Sequence, residues 1–357
     1  MCKEVKNRNA SIDGLRAFAI VLIVASHCGF LSQGGVGNAI FFAISGFFAA
    51  MPFGVKNVEK ELLTFKGIVR YYWKKICRIL PVFYAVLFSV YVLMPGVFDK
   101  RSLIKNMMFY ESYGHLWFLQ QEMFMYLCLP LVFCLMYIIK KVVKCKYNDL
   151  ICAVAVLMLA FLSKKFLSGE ILYLVGNGGR QMVRFFQFFI GMSAGYMYRA
   201  YLISEKDWSN NYKIRLLADS YNFLFIVFCI ISSRSILKYW NAELENYYVG
   251  WQMPSLCTSL AAISILVLLV AEKSLFARIM GNRYVAFLGR ISFSIYLIHY
   301  FIITYLGLHS TIRNMLMVYV ASIGVSIILY YLIEKPAVLF AKTMSFKEIK
   351  TYYSKLF

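Results

Sequence analysis

Long apolar runs divide this chain, and few folds can accommodate them. They lie at about residues 15–31, 37–53, 79–96, 116–139, 148–163, 182–198, 221–233, 255–271, 285–307 and 314–340. Most approach the ~20 residues that an α-helix needs to cross a hydrocarbon core of roughly 30 Å. Hydrophobic residues make up 61% of the sequence against 15% charged, and the mean hydropathy is +0.66. A single water-soluble core of 357 residues could not enclose that much apolar surface, so lipid is the expected solvent for much of it. Continuous runs favour helices over a barrel, whose strands alternate in segments of about ten residues. The expectation is an all-α polytopic integral membrane protein with about ten transmembrane helices.

The first run follows Lys3, Lys6 and Arg8, a flank like that of a signal peptide. The run is too long, and lacks a small-x-small cleavage site, so it reads as an uncleaved first span with Asp13 as N-cap. Gly34, Gly35 and Gly37 mark a tight turn, and Ser45-Gly46 is small enough for close helix packing. Between 54 and 78 the pattern changes. Leu62, Phe65, Val69, Tyr72 and Ile76 recur at helical spacing, with Lys56, Lys60, Arg70 and Lys74 off that stripe. This predicts a basic amphipathic interfacial helix over about 56–77, with Arg78 and Pro81 opening the third span. The chain reads as one transmembrane domain, 1–345, with a short cytoplasmic tail, 346–357.

The net charge of +21 raises the question of nucleic acid, but the placement of the charges answers it. With the N-terminus inside, the inner connections carry far more Lys and Arg than the outer ones. The groups Lys56–Lys75, Lys140–Lys146 and Lys342–Lys355 dominate. That is the positive-inside pattern, with both termini cytoplasmic and an even span count. Most of the nine cysteines lie in or beside apolar runs, with no C-x-x-C pair, which reads as buried free thiols rather than a disulfide framework or metal site.

Ionisable residues inside apolar runs are expensive and need a reason. Arg16 and His27 are eleven residues apart, about 1100° of helical rotation, so they share a face at an axial separation of roughly 16 Å. Counted from the span ends, His27, Glu122 and His299 all fall about 18–21 Å from the cytoplasmic face. Three helices thus place ionisable groups at one level. Glu122 in particular must be paired, protonated or hydrated. A lone histidine on an apolar helix is as readily a packing residue, and that reading stays open for His299. His115 and His309 fall at or outside the outer interface and are expected to be solvated. At the inner end stand Arg16, Lys75 and Arg78, with Glu334 near their level. The positive-inside rule alone can account for Lys75 and Arg78; the alternative is a clamp for phosphate oxygens.

Several stretches together resemble the acyltransferase-3 family of membrane-bound O-acyltransferases, which includes bacterial polysaccharide and peptidoglycan O-acetylases. IDGLRAFAIVLIVASH is similar to the family's Arg-x10-His first span, and FFAISGFF to its Ser-Gly-Phe signature. YYWKKICRILPVFY resembles the Arg-x-x-Arg…Pro region, with Lys75 where the family has its first arginine. HLWFLQQEMFMYLCLPL, LGRISFSIYLIHYF and IEKPA complete the series across roughly residues 11–340. The resemblance implies transfer of an acyl group, usually acetyl, from cytosolic acetyl-CoA to a hydroxyl of an extracytoplasmic glycan, at a bacterial cytoplasmic membrane. It implies His27 as the essential histidine, Arg16 as its partner and Lys75 with Arg78 as the holders of the CoA phosphates. On that reading His27 is general base or transient acyl carrier, Glu122 orients or neutralises the imidazolium, and Ser45 or a backbone N–H is available to an oxyanion. Some relatives carry an added periplasmic hydrolase-like domain, which is not expected here. The rival reading is a transporter or exporter of a small solute or acyl donor using the same buried charges.

Overall fold

The computed structural model describes residues 9–30, 34–51, 62–145, 147–166, 184–204, 206–232, 252–307 and 311–343. Every regular element among them is helical. The chain runs α1 (Ala10–His27), α2 (Gly34–Ala50), α3 (Phe65–Leu93), α4 (Lys100–Met107), a 3-10 turn (Gly114–Leu116), α5 (Trp117–Val142) and α6 (Asn148–Phe166). It continues with α7 (Phe185–Ile203), α8 (Tyr212–Ile231), α9 (Gln252–Val270), α10 (Leu275–Met280), α11 (Arg283–Arg290) and α12 (Ser292–Leu306). α13 (Ile312–Leu329), a π-helical turn (Tyr330–Glu334) and α14 (Lys335–Thr343) close the described part.

Where described, all ten apolar runs fall on helices, but they do not all have the length and composition of spans. Among the described residues five segments are long and apolar enough to cross a membrane: α1, α3, Gly114–Val142, α8 and Ile312–Ala341. A sixth is α11 with α12 if that pair, bent by 65°, counts as one span. The expected count of about ten is therefore not reached by these criteria. α2 is short, and α6 carries Asp149, Lys164 and Lys165. The surface is one for lipid: Leu131, Val320 and Leu332 are 75%, 73% and 72% exposed, an arrangement costly in water and natural in a bilayer.

Several local expectations change. The side chain of Asn9, not Asp13, caps α1 by accepting from the Ser11 amide. α3 runs unbroken from Phe65 to Leu93 through Pro81, so the basic amphipathic stretch and the third span are one helix from residue 65 onward. Pro81 removes one backbone donor mid-helix, a loss that helices packed in apolar surroundings absorb. Residues 52–61, which hold the predicted start of the interfacial helix, lie outside the described residues, as do His309 and the tail. The run at 221–233 extends back into a 20-residue helix. Its polar Asn222 is hidden by accepting from Ser264 Oγ at 2.6 Å. Cys28, Cys77, Cys152, Cys229 and Cys257 are free and buried, but Cys128 and Cys134 are exposed on the outer face of α5.

Glycine sets how closely the helices pack. A Cβ on Gly46 would lie 1.9 Å from the Phe188 carbonyl oxygen, and one on Gly191 2.1 Å from that of Ala43. Backbone thus meets backbone between α2 and α7, as Ser45-Gly46 predicts. Gly14 against Met280 and Gly289 against Asp13 bring the start of α1 equally close to α10 and α11. α1 and α2 pack side by side in the interior, with α12 also against α1.

Candidate active site

His27 is the last residue of α1, not a mid-span residue, and its ring is half-buried. Its Nδ1 lies 2.7 Å from Nε2 of His299, with the rings nearly parallel at 15°. His299 is fully buried, and its Nδ1 lies 2.9 Å from the Tyr296 carbonyl and 3.1 Å from that of Ile295. Carbonyls only accept, so His299 Nδ1 carries hydrogen, and in the neutral ring Nε2 is then a bare acceptor. His27 Nδ1 must be the donor across the pair, which leaves the lone pair on His27 Nε2. The hydrogen-bond chain thus selects the tautomer of His27, and it does so without a carboxylate.

A third imidazole completes this level. His115 is 4% exposed, where the sequence places it in solvent. The preceding Gly114 has φ +47, a conformation that suits glycine, and the 3-10 turn carries the next side chain inward. His115 Nε2 donates to the Leu297 carbonyl at 3.1 Å, and the Tyr296 hydroxyl donates to the His115 carbonyl. The His115 ring centre is 5.0 Å from that of His299 and 6.4 Å from that of His27. A depth scale counted along a straight span cannot register a turn that dips between helices. Among the described residues no set of His, Cys, Asp and Glu side chains is arranged to hold a metal ion.

Glu122 belongs to a second group. Its Oε1 accepts from Ser45 Oγ and from the Tyr126 hydroxyl, each at 2.6 Å. The Lys75 ammonium sits 3.7 Å above the Tyr126 ring and 5.8 Å from that of Tyr71. The charges of Arg78, Glu122 and Arg16 all act on it, so these four groups form one electrostatic cluster. The expected orienting contact from Glu122 to His27 does not appear: His299 occupies His27 Nδ1, and Ser45 spends its hydroxyl on Glu122. Tyr126, one turn after Glu122, is the partner that sequence reasoning passed over; its i, i+4 spacing was the available signal.

Arg16 is half-buried, 3.7 Å from Asp13 and 5.4 Å from the Phe48 ring centre. Arg78 is exposed. Glu334 is buried in the π-helical turn and accepts from Ser294 Oγ at 3.0 Å. Pro336, two residues on, cannot continue regular helix bonding, and a π turn there is the usual relief.

The family model for an acyltransferase domain matches residues 9–335. The chain belongs to the acyltransferase-3 family. It is 24% identical to YrhL of Bacillus subtilis, a candidate peptidoglycan O-acetyltransferase, over 81% of this chain and 48% of that protein. It is 30% identical to the peptidoglycan O-acetyltransferase OatA of Listeria monocytogenes over 27% of this chain and 15% of that protein. A candidate membrane-bound transacylase of Komagataeibacter xylinus, BcsY, is 36% identical over 21% of this chain and 18% of that protein. The chain thus matches less than half the length of each of these relatives. No solved structure matches it.

Proposed function

We propose that this acyltransferase-3 chain moves an acyl group, acetyl by family resemblance, from acyl-CoA to a hydroxyl of an extracytoplasmic envelope glycan. The observation that carries the reading is the hydrogen-bond chain from backbone carbonyl through His299 to His27. It leaves a basic nitrogen, His27 Nε2, bare and held in place.

The acceptor hydroxyl donates its proton to His27 Nε2 as its oxygen bonds to the thioester carbonyl carbon. The carbon–sulfur bond then breaks, and the imidazolium returns the proton to the leaving sulfur. His27 ends α1, whose carbonyl end favours a transient positive charge. His299 holds the ring's orientation and, through its Nε2 lone pair, shares that charge.

Lys75 with Arg16 and exposed Arg78 takes the phosphate oxygens of the donor. Lys75 supplies a point charge rather than the bidentate fork of an arginine. Glu122, tied to Ser45 and Tyr126, holds the lysine's surroundings. On this reading both termini are cytoplasmic, these cations lie on the donor side of a cytoplasmic membrane and the histidines face the acceptor.

The reading is tested by incubating membranes that contain the protein with radiolabelled acetyl-CoA. Label appearing in base-labile esters of envelope glycan, and absent from membranes lacking the protein, is the expected result. Solute uptake with no requirement for acetyl-CoA, and no labelled ester, contradicts it.

A further inference from the structure

His115 holds a buried polar atom with no hydrogen-bond partner among the described residues. Its Nε2 is committed as donor to the Leu297 carbonyl, so in the neutral ring Nδ1 is a bare acceptor. No described residue hydrogen-bonds that nitrogen, and the residue is 4% exposed. Aromatic rings surround it: Tyr300, Phe301 and Tyr296 have centroids 5.2, 5.3 and 5.4 Å away. A buried acceptor among aromatic walls is unfavourable unless a donor arrives, and native proteins leave few such atoms unmatched.

We propose that His115 Nδ1 binds the acyl acceptor, accepting a hydrogen bond from a second hydroxyl of the glycan while the reacting hydroxyl meets His27 Nε2. The inference rests on the acyl-transfer reading and deepens it, because it assigns the acceptor side a residue of its own. His115 lies at the opposite end of the Gly114–Val142 span from Lys140 and Lys141. The donor's amide N–H groups are the other possible source of a hydrogen, and that placement favours the glycan. With the two imidazole centres 6.4 Å apart, one pyranose presenting adjacent hydroxyls can reach both.

Two substitutions separate binding from scaffolding. His115→Gln places an amide N–H where Nε2 was, keeping the Leu297 tie, but offers no acceptor at Nδ1. His115→Asn restores an acceptor oxygen near Nδ1 and gives up the tie. The purified protein in lipid nanodiscs is assayed with acetyl-CoA and chitopentaose as the acceptor probe. The expected result for His115→Gln is a KM for chitopentaose raised about tenfold, the size of one lost hydrogen bond, with the KM for acetyl-CoA unchanged. His115→Asn stays near the wild-type acceptor KM. An unchanged acceptor KM in His115→Gln, an increase in the acetyl-CoA KM instead, or an Asn variant no better than Gln overturns the assignment. Wild-type protein that neither acetylates chitopentaose nor hydrolyses acetyl-CoA overturns the acyl-transfer reading itself, which is a different failure.

Discussion

His27 and His299, 272 residues apart in the chain, meet at 2.7 Å, and His299 is itself pinned by two backbone carbonyls of its own helix. The relationship resembles a catalytic triad in logic, with main-chain oxygen in the place of a carboxylate. On the proposed mechanism His299 is a positioning residue whose acceptor nitrogen, rather than its charge, is what His27 needs.

His299→Phe removes that acceptor and frees the His27 ring to turn. Acyl transfer is expected to fall about 100-fold or more, the scale of a mispositioned general base. His299→Gln keeps an oxygen able to accept from His27 Nδ1 and is expected to retain a substantial part of the rate. Rates of purified variants at saturating acetyl-CoA check this. Equal losses in both variants would show that the acceptor nitrogen is not what matters.

Ser45→Ala removes one of two hydroxyls that bond Glu122 Oε1. Hydrogen bonds to a charged group are worth about 1.5–3 kcal/mol. The variant is expected to unfold several degrees earlier in detergent by intrinsic fluorescence, with His27-dependent chemistry reduced less than in any histidine variant.

Gly46→Ala drives a methyl group to within 1.9 Å of the Phe188 carbonyl oxygen, while nothing stands within 4 Å of a Cβ on Gly35. Overpacking costs about 1–3 kcal/mol even where side chains can yield, and here the obstacle is backbone. Gly46→Ala is expected to lower the amount of protein in the membrane sharply, and Gly35→Ala to leave it unchanged, by quantitative blotting.

Asp149 is 2% exposed and neutralises two cations, Lys140 at 2.6 Å and Arg199 at 3.3 Å, which join α5, α6 and α7. Asp149→Asn leaves both cations without their shared carboxylate. Breaking a buried pair from one side costs about 3–5 kcal/mol. The expected outcome is a large drop in thermal midpoint, with any folded fraction keeping its KM for acetyl-CoA.

Much of the fold was legible because hydropathy follows from residue type alone: each apolar run lies on a helix. The number of spans was less legible, since α2 is short and α6 carries three charges, and a run's apolarity does not say how far it reaches across the bilayer. The site was half legible. Burial cost singled out His27, His299 and Glu122, and two of the three do touch. Their pairing, and the tautomer that it selects, depend on carbonyls and ring angles that no residue spacing encodes. His115 was misplaced because a Gly-led 3-10 turn carries it inward from the expected interface. Glu122 was assigned to the wrong partner because Ser45 and Tyr126 reach it first.

The proposed mechanism makes His27 Nε2 the base for acyl transfer. It is tested most directly by mass spectrometry of envelope glycans from cells carrying His27→Ala in place of the wild-type chain, at matched membrane levels of the two proteins. O-acetyl esters dependent on this protein are expected to disappear. Esters persisting at the wild-type level would contradict it.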